Sequence, residues 1–251
     1  MTERLSAQPG RLHFKKPPIV EAVIGIAVPE LPESVIEDFK NAASRMKSLG
    51  FEVQVPRMHH NFNINVEAGD SSLEKKELGF QYFRPDRSFA VQFLRNGFLF
   101  SQLGSYTNWE DFTGLAKELW NVYQEIVGVT EIASFQVRYI NKLFIPEMKE
   151  WEKYINVYPY LPADVPQLIS EYFARIVMPI ERPPGRLTHQ QAVLPPERDG
   201  FLTFLFDNDF QFSGLGLSVS SLWSKIDEVR VIKDDYFDRF LTPLMKESFN
   251  A

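Results

Sequence analysis

Glu21 and Arg138 are charged residues set in unusually apolar company. Glu21 interrupts Ile19-Val-Glu-Ala-Val-Ile-Gly-Ile-Ala-Val28, and Arg138 interrupts Phe135-Gln-Val-Arg-Tyr-Ile-Asn-Lys-Leu-Phe-Ile145. Both segments are rich in β-branched or aromatic residues, the composition of strands covered on both faces. Where two such strands lie side by side, a carboxylate and a guanidinium meet under desolvation, which a bidentate pair tolerates best. Arg95, at a hairpin tip, is the alternative partner for Glu21. Such a pair either fixes strand register or anchors a ligand on the sheet, unless Glu21 is simply exposed. Tyr139 and Asn141 lie on the row opposite Arg138. Asn141 is out of place in a strand by propensity, and serves either the backbone at a bulge or a ligand. The candidate ligand-binding set is therefore Glu21, Arg138, Tyr139, Asn141 and Arg95.

Other reactive types are scarce or badly spaced. The 251-residue chain has no cysteine, which excludes disulfides, thiolate metal sites and thiol nucleophiles. His59 and His60 are adjacent, so in a strand they point to opposite faces and do not readily chelate one metal ion. His13 and His189 are isolated, and no metalloprotease or facial-triad spacing exists. Gly214-Leu-Gly-Leu-Ser218 lacks the third glycine, the lysine and the βαβ setting of a phosphate loop. Asp207, Asp209, Asp227, Asp234 and Asp235 have no calcium-loop spacing and read as a solvated acidic face. Neither a metal nor a cofactor is implied. With 27 Lys+Arg against 33 Asp+Glu, the net charge of -6 disfavours nucleic acid as partner. The first residues lack the apolar core of a signal peptide, and no run approaches the ~20 residues that span a bilayer. A cytoplasmic protein is expected.

The elements that position these residues follow from periodicity. Residues 1–16 read as a loose arm and 19–28 as the first strand. Residues 32–49 carry Ile36, Phe39, Ala43 and Met46 at helical spacing, stopped by Gly50. Strands are expected over 51–55 and 61–67, with a polar loop over 68–77. Gly79–Phe83, Phe89–Arg95 and Phe98–Leu103 form a meander. Its Asn96-Gly97 dipeptide is a hairpin signal that sets Phe93 opposite Phe100. A helix over 108–127 has Thr107 and Glu110 at capping-box spacing. Strands over 135–145, 171–181, 186–194, 201–206 and 209–213 follow, with a helical turn near 164–170. A long helix over 220–241 ends at Pro243.

The order strand, helix, several strands, long helix thus occurs twice. The expected fold is α+β: two β-α-β(3–4)-α halves, 17–130 and 131–251, forming an extended antiparallel sheet with long helices on one face. The order is similar to that of TATA-binding-protein-like and Bet v 1-like folds. Phe14-Lys-Lys-Pro-Pro-Ile-Val-Glu-Ala-Val23, Arg138-Tyr-Ile-Asn141, Tyr106/Trp109/Phe112 and Phe240-Leu-Thr242 together resemble a sporadically distributed bacterial family of about this length and of unknown function. That resemblance implies an accessory or defence-related gene context and no catalytic residues. The expectation is a non-enzymatic binding or interaction module, its open sheet face meeting a second copy, a partner protein or a small apolar ligand. The alternatives are a ligand pocket or enzyme site between sheet and long helix and, less favoured by charge, a nucleic-acid saddle.

Overall fold

The structure is a computed structural model, described here for residues 14–65, 70–146, 151–162, 164, 165, 169, 171–214 and 217–250. It is an α+β protein with nine strands among the described residues: β1 (Ile19–Ala27), β2 (Val53–Asn65), β3 (Asp70–Phe83), β4 (Phe89–Leu94), β5 (Gly97–Leu103), β6 (Ser134–Ile145), β7 (Phe173–Ile180), β8 (Gly185–Leu194) and β9 (Leu202–Ser213). They hydrogen-bond in the order β2-β3-β4-β5-β1-β6-β9-β8-β7. The helices are α1 (Val35–Asn41), α2 (Ala43–Ser48), α3 (Trp109–Val127), α4 (Val219–Phe240) and α5 (Pro243–Ser248). A 3-10 turn covers Trp151–Lys153. Among the described residues, no helix is long and apolar enough to cross a membrane.

The chain divides into two compact units, one of residues 1–20, 138–211 and 224–251, the other of 21–137 and 212–223. The four boundaries fall inside β1, β6, β9 and α4. Within one unit the Lys142 N–H donates to the Pro18 carbonyl (2.9 Å); within the other the Ala133 N–H donates to the Ala27 carbonyl (2.9 Å). A Cβ at Gly25 would meet the Gln136 side chain at 2.8 Å, so a larger residue there requires that side chain to move.

In the unit of residues 21–137, helical and strand periodicities aim at one aromatic core. Phe98 packs on Trp120 (5.6 Å), Phe100 on Phe112 (5.3 Å) and Phe93 on Tyr123 (5.5 Å). The Tyr82 hydroxyl donates to the Phe39 carbonyl and the Tyr123 hydroxyl to the Leu94 carbonyl. Burial pushes the Tyr82 phenol up to about 12. In the other unit, α4 covers β9 through Phe206–Phe237 (6.2 Å) and Phe210–Tyr236 (6.0 Å) contacts.

Several local expectations are corrected. The hairpin turns at Arg95-Asn96, so Phe93 faces Phe98 and Val91 faces Phe100. The two-residue offset leaves every side chain on its expected face. Gly97 is a strand residue, required because a Cβ there sits 2.4 Å from the Ile26 carbonyl oxygen of β1. The expected loop over 68–77 is mostly strand: β3 starts at Asp70 and pairs along its length with β2, which supplies backbone partners to polar residues of low strand propensity. The expected helix over 32–49 is two short ones, α1 and α2, meeting at Ala42. Asn108, not Thr107, caps α3: its Oδ1 accepts from the Asp111 N–H (2.8 Å), and Gly128 closes the helix in the left-handed region. The described end of the expected arm is tied down, with the Lys16 N–H on the Phe249 carbonyl (2.9 Å) and Phe14 against Phe237 and Phe249; residues 1–13 lie outside the described residues. So does most of the expected turn near 164–170.

Candidate functional site

Strict alternation builds the site. Along β6 the odd residues 135–145 are buried and the even ones half-buried. Odd-numbered Tyr139 faces Lys233 of α4, and Arg138, at an even position, lies on the opposite face. On β9 the same alternation sends Phe204, Phe206, Asn208 and Phe210 inward and Asp207 and Asp209 to the face of Arg138.

There Arg138 Nε donates to Asp207 Oδ1 (2.9 Å) and Nη2 to Asp207 Oδ2 (2.7 Å). Gln190 Nε2, from β8, donates to the same Oδ2 (3.2 Å). The Asp207 side chain is 2% exposed and that of Arg138 35%. A carboxylate that cannot reach water thus has three donors, and it holds a guanidinium that does reach water in one orientation. Two residues on, Asp209 Oδ2 accepts from Gln211 Nε2 (2.5 Å), while its buried Oδ1 has no partner. Burial pushes the Asp209 carboxyl up, against the opposing effects of the Gln211 hydrogen bond and of Arg138. Gln211 Oε1 in turn accepts from Arg186 Nε (2.8 Å), and Lys142 Nζ donates to Glu197 Oε1 (2.7 Å).

The sequence candidates distribute unevenly. Arg138 is at the centre of this cluster, but the carboxylate that takes it bidentately is Asp207. Glu21 is half-buried on β1, opposite Leu103 of β5. Arg95 is 8% exposed and serves the approach to α1: its Nε donates to the Leu31 carbonyl (2.9 Å), with Glu33 and Glu30 each at 3.3 Å. Tyr139 faces α4, where the Lys233 ammonium lies 4.6 Å from its ring centre. Asn141 is buried and donates to the Tyr139 (3.3 Å) and Phe206 (3.1 Å) carbonyls. Its amide thus serves the backbone of two adjacent strands.

Sequence reasoning missed Asp207 and His189. Asp207 and Asp209 were expected on a solvated acidic face; Asp207 is buried instead, because Asp207-Asn208 does not break the strand. The detectable signal was the alternation of Phe204, Phe206, Phe210 and Phe212, which runs through those two residues in step. On the α4 side, His189 is 1% exposed and packs on Phe206 (4.5 Å) and Phe240 (4.7 Å). Its Nδ1 lies 2.7 Å from Asn208 Oδ1 and its Nε2 2.8 Å from Gln191 Nε2. An amide oxygen only accepts and an amide nitrogen only donates, so the neutral ring with its proton on Nδ1 satisfies both contacts. Burial holds this imidazole below its usual range. Gln191 also donates to the Val157 carbonyl (2.7 Å) and accepts from the Tyr172 hydroxyl (3.2 Å), closing a satisfied internal network.

An open groove of about 1110 Å³ lies where β7 begins and β8 ends, with Tyr172, Phe173, Leu194, Pro195 and Phe201 in its lining. Among the described residues, no group of three His, Asp or Glu side chains is placed to hold a metal ion. No protein-family model matches the chain, and no curated protein matches it.

Proposed function

We propose that the protein is a cytoplasmic binding module, and that its partner sits on the face of β6, β9 and β8 turned away from α4. The observation that carries this reading is the Arg138–Asp207 pair. A carboxylate sunk into the sheet fixes a guanidinium whose side chain is one-third exposed, beside a buried Asp209 oxygen that lacks a donor. Such a face offers a pre-set orientation to an incoming acceptor at Arg138. The apolar groove beside Phe173 suits the non-polar part of the same partner, a protein segment or a small apolar ligand. The element order, β1-α1-α2-β2-β3-β4-β5-α3 and then β6-β7-β8-β9-α4, supports two like builds around the central strands. The net charge of -6 weighs against nucleic acid.

One feature favours a second, catalytic reading. The Lys233 side chain, on α4, is 14% exposed, pairs with Asp234 (2.6 Å) and is held below its usual range by burial. A desolvated ammonium over the Tyr139 ring is the group that this second reading assigns as the base.

Native mass spectrometry of freshly isolated protein tests the first reading. A co-isolated mass is expected with the wild type and with Lys233→Met, and is expected to be lost in Leu205→Arg, which puts bulk and charge on the proposed face. A wild type that carries nothing, or a ligand kept by Leu205→Arg and lost by Lys233→Met, overturns it.

A further inference from the structure

The strand order ends on two edges, β2 and β7, and they are finished differently. β2 carries Pro56 and slips its register against β3 between Arg57 and Met58. Both are devices that spoil an edge for further pairing. β7 pairs with β8 without any shift, from Phe173↔Ala192 to Ile180↔Gly185. The Val193 N–H donates to the Tyr172 carbonyl (3.0 Å), and that bond sets the phase of the ladder. Residues 172, 174, 176 and 178 exchange hydrogen bonds with β8; Phe173, Arg175 and Val177 turn their N–H and C=O groups outward. Pro179 falls on the outward phase, where its missing N–H leaves the β8 ladder intact. The outward strand is also apolar and open: Phe173 is 67% exposed, Val177 51% and Ile176 38%, and its one charged residue is Arg175.

We propose that β7 is a self-association edge, onto which a second copy adds its own β7 antiparallel about a two-fold axis. An antiparallel edge-to-edge contact is isologous, so one strand supplies both halves of the match. The side chains choose the register. Centred on Arg175, the pairing sets two guanidinium groups directly opposite each other, which is unfavourable. Centred on Ile176, it sets Ile176 against Ile176 of the second copy and Arg175 against its Val177. Phe173 then lies against the second copy's Pro179, the position at which proline limits further outward pairing. This contact shares Phe173 with the rim of the groove but uses the β7 edge and not the Arg138–Asp207 pair, so its failure leaves that reading standing.

Sedimentation and amide exchange test the proposal on the full chain. Over about 1 to 100 μM the wild type is expected to pass from one chain to two. Ile176→Lys and Val177→Lys are each expected to weaken the association at least about tenfold. Val55→Lys, on the β2 edge, is expected to leave it unchanged. The amides of Phe173, Arg175 and Val177 gain protection as concentration rises, while those of Ala174, Ile176 and Met178 are protected throughout. Three outcomes overturn the proposal: a wild type that stays a single chain over the range, a dimer that survives both lysine substitutions, or a dimer whose outward amides exchange independently of concentration. Outward amides protected only when an extended peptide is added assign the edge to another protein's strand and overturn the second copy as occupant.

Discussion

Replacing Arg138 by Gln removes the cation from Asp207 and leaves that carboxylate, 2% exposed, with Gln190 at 3.2 Å as its remaining side-chain donor. Breaking a fully buried pair costs about 3–5 kcal/mol, because the remaining charge is neither solvated nor paired. A fully exposed pair is worth about 0.2–1 kcal/mol. The Arg138–Asp207 pair is asymmetric, so its two ends should respond differently. Loss of Arg138 strands a group that water cannot reach, and about 3 kcal/mol is expected. Asp207→Asn leaves a guanidinium that is 35% exposed and can turn to solvent, and about 1–2 kcal/mol is expected. In the double variant two amides of similar shape face each other, and its cost should fall short of the sum by about 2 kcal/mol. Urea unfolding with unchanged m reports all three, and the Arg138→Gln melting temperature should fall by about 6–12 °C. If Asp207→Asn costs as much as Arg138→Gln, or if the double variant equals the sum of the singles, then Asp207 is not a desolvated charge fixed by Arg138.

His189 makes stability fall toward acid. Its folded-state pKa is depressed by burial, so its contribution is complete above the unfolded value of about 6.5 and drains away as pH drops below it. Urea midpoints at pH 8 and pH 5 should diverge less in His189→Gln than in the wild type; an equal divergence would exclude His189 as the source. Gly97→Ala should destabilise by about 3 kcal/mol, because the new Cβ meets the Ile26 carbonyl oxygen at 2.4 Å and strand backbone has little room to move. A variant that melts with the wild type would place that crossing wrongly. Asn108→Ala should cost about 1 kcal/mol and Thr107→Ala close to nothing, since the α3 cap is the Asn108 oxygen. The reverse order in thermal melts would return the cap to Thr107.

The alternation of apolar side chains was enough to place β1, β6 and the β4–β5 hairpin, and the 3.6-residue stripe was enough to place α3 and α4. These are local properties: each element shows in its own period which face it must bury. The same alternation held Arg138 out of the α4 side and put Tyr139 and Asn141 into it. What local period does not carry is which strand lies next to which. Glu21 and Arg138 were matched because both interrupt apolar first strands, yet β9 lies on the other side of β6, and its Asp207 takes the guanidinium. Asp207-Asn208 resembled a break because polar pairs favour turns, whereas Arg138 of β6 and Gln190 and His189 of β8 meet their side chains from either side. Gly97 looked like a turn residue, and only the approach of the β1 backbone shows that it is glycine for want of space. Hydrogen-bond partners supplied across the sheet therefore override local preference, and they come from residues tens of positions away in the chain.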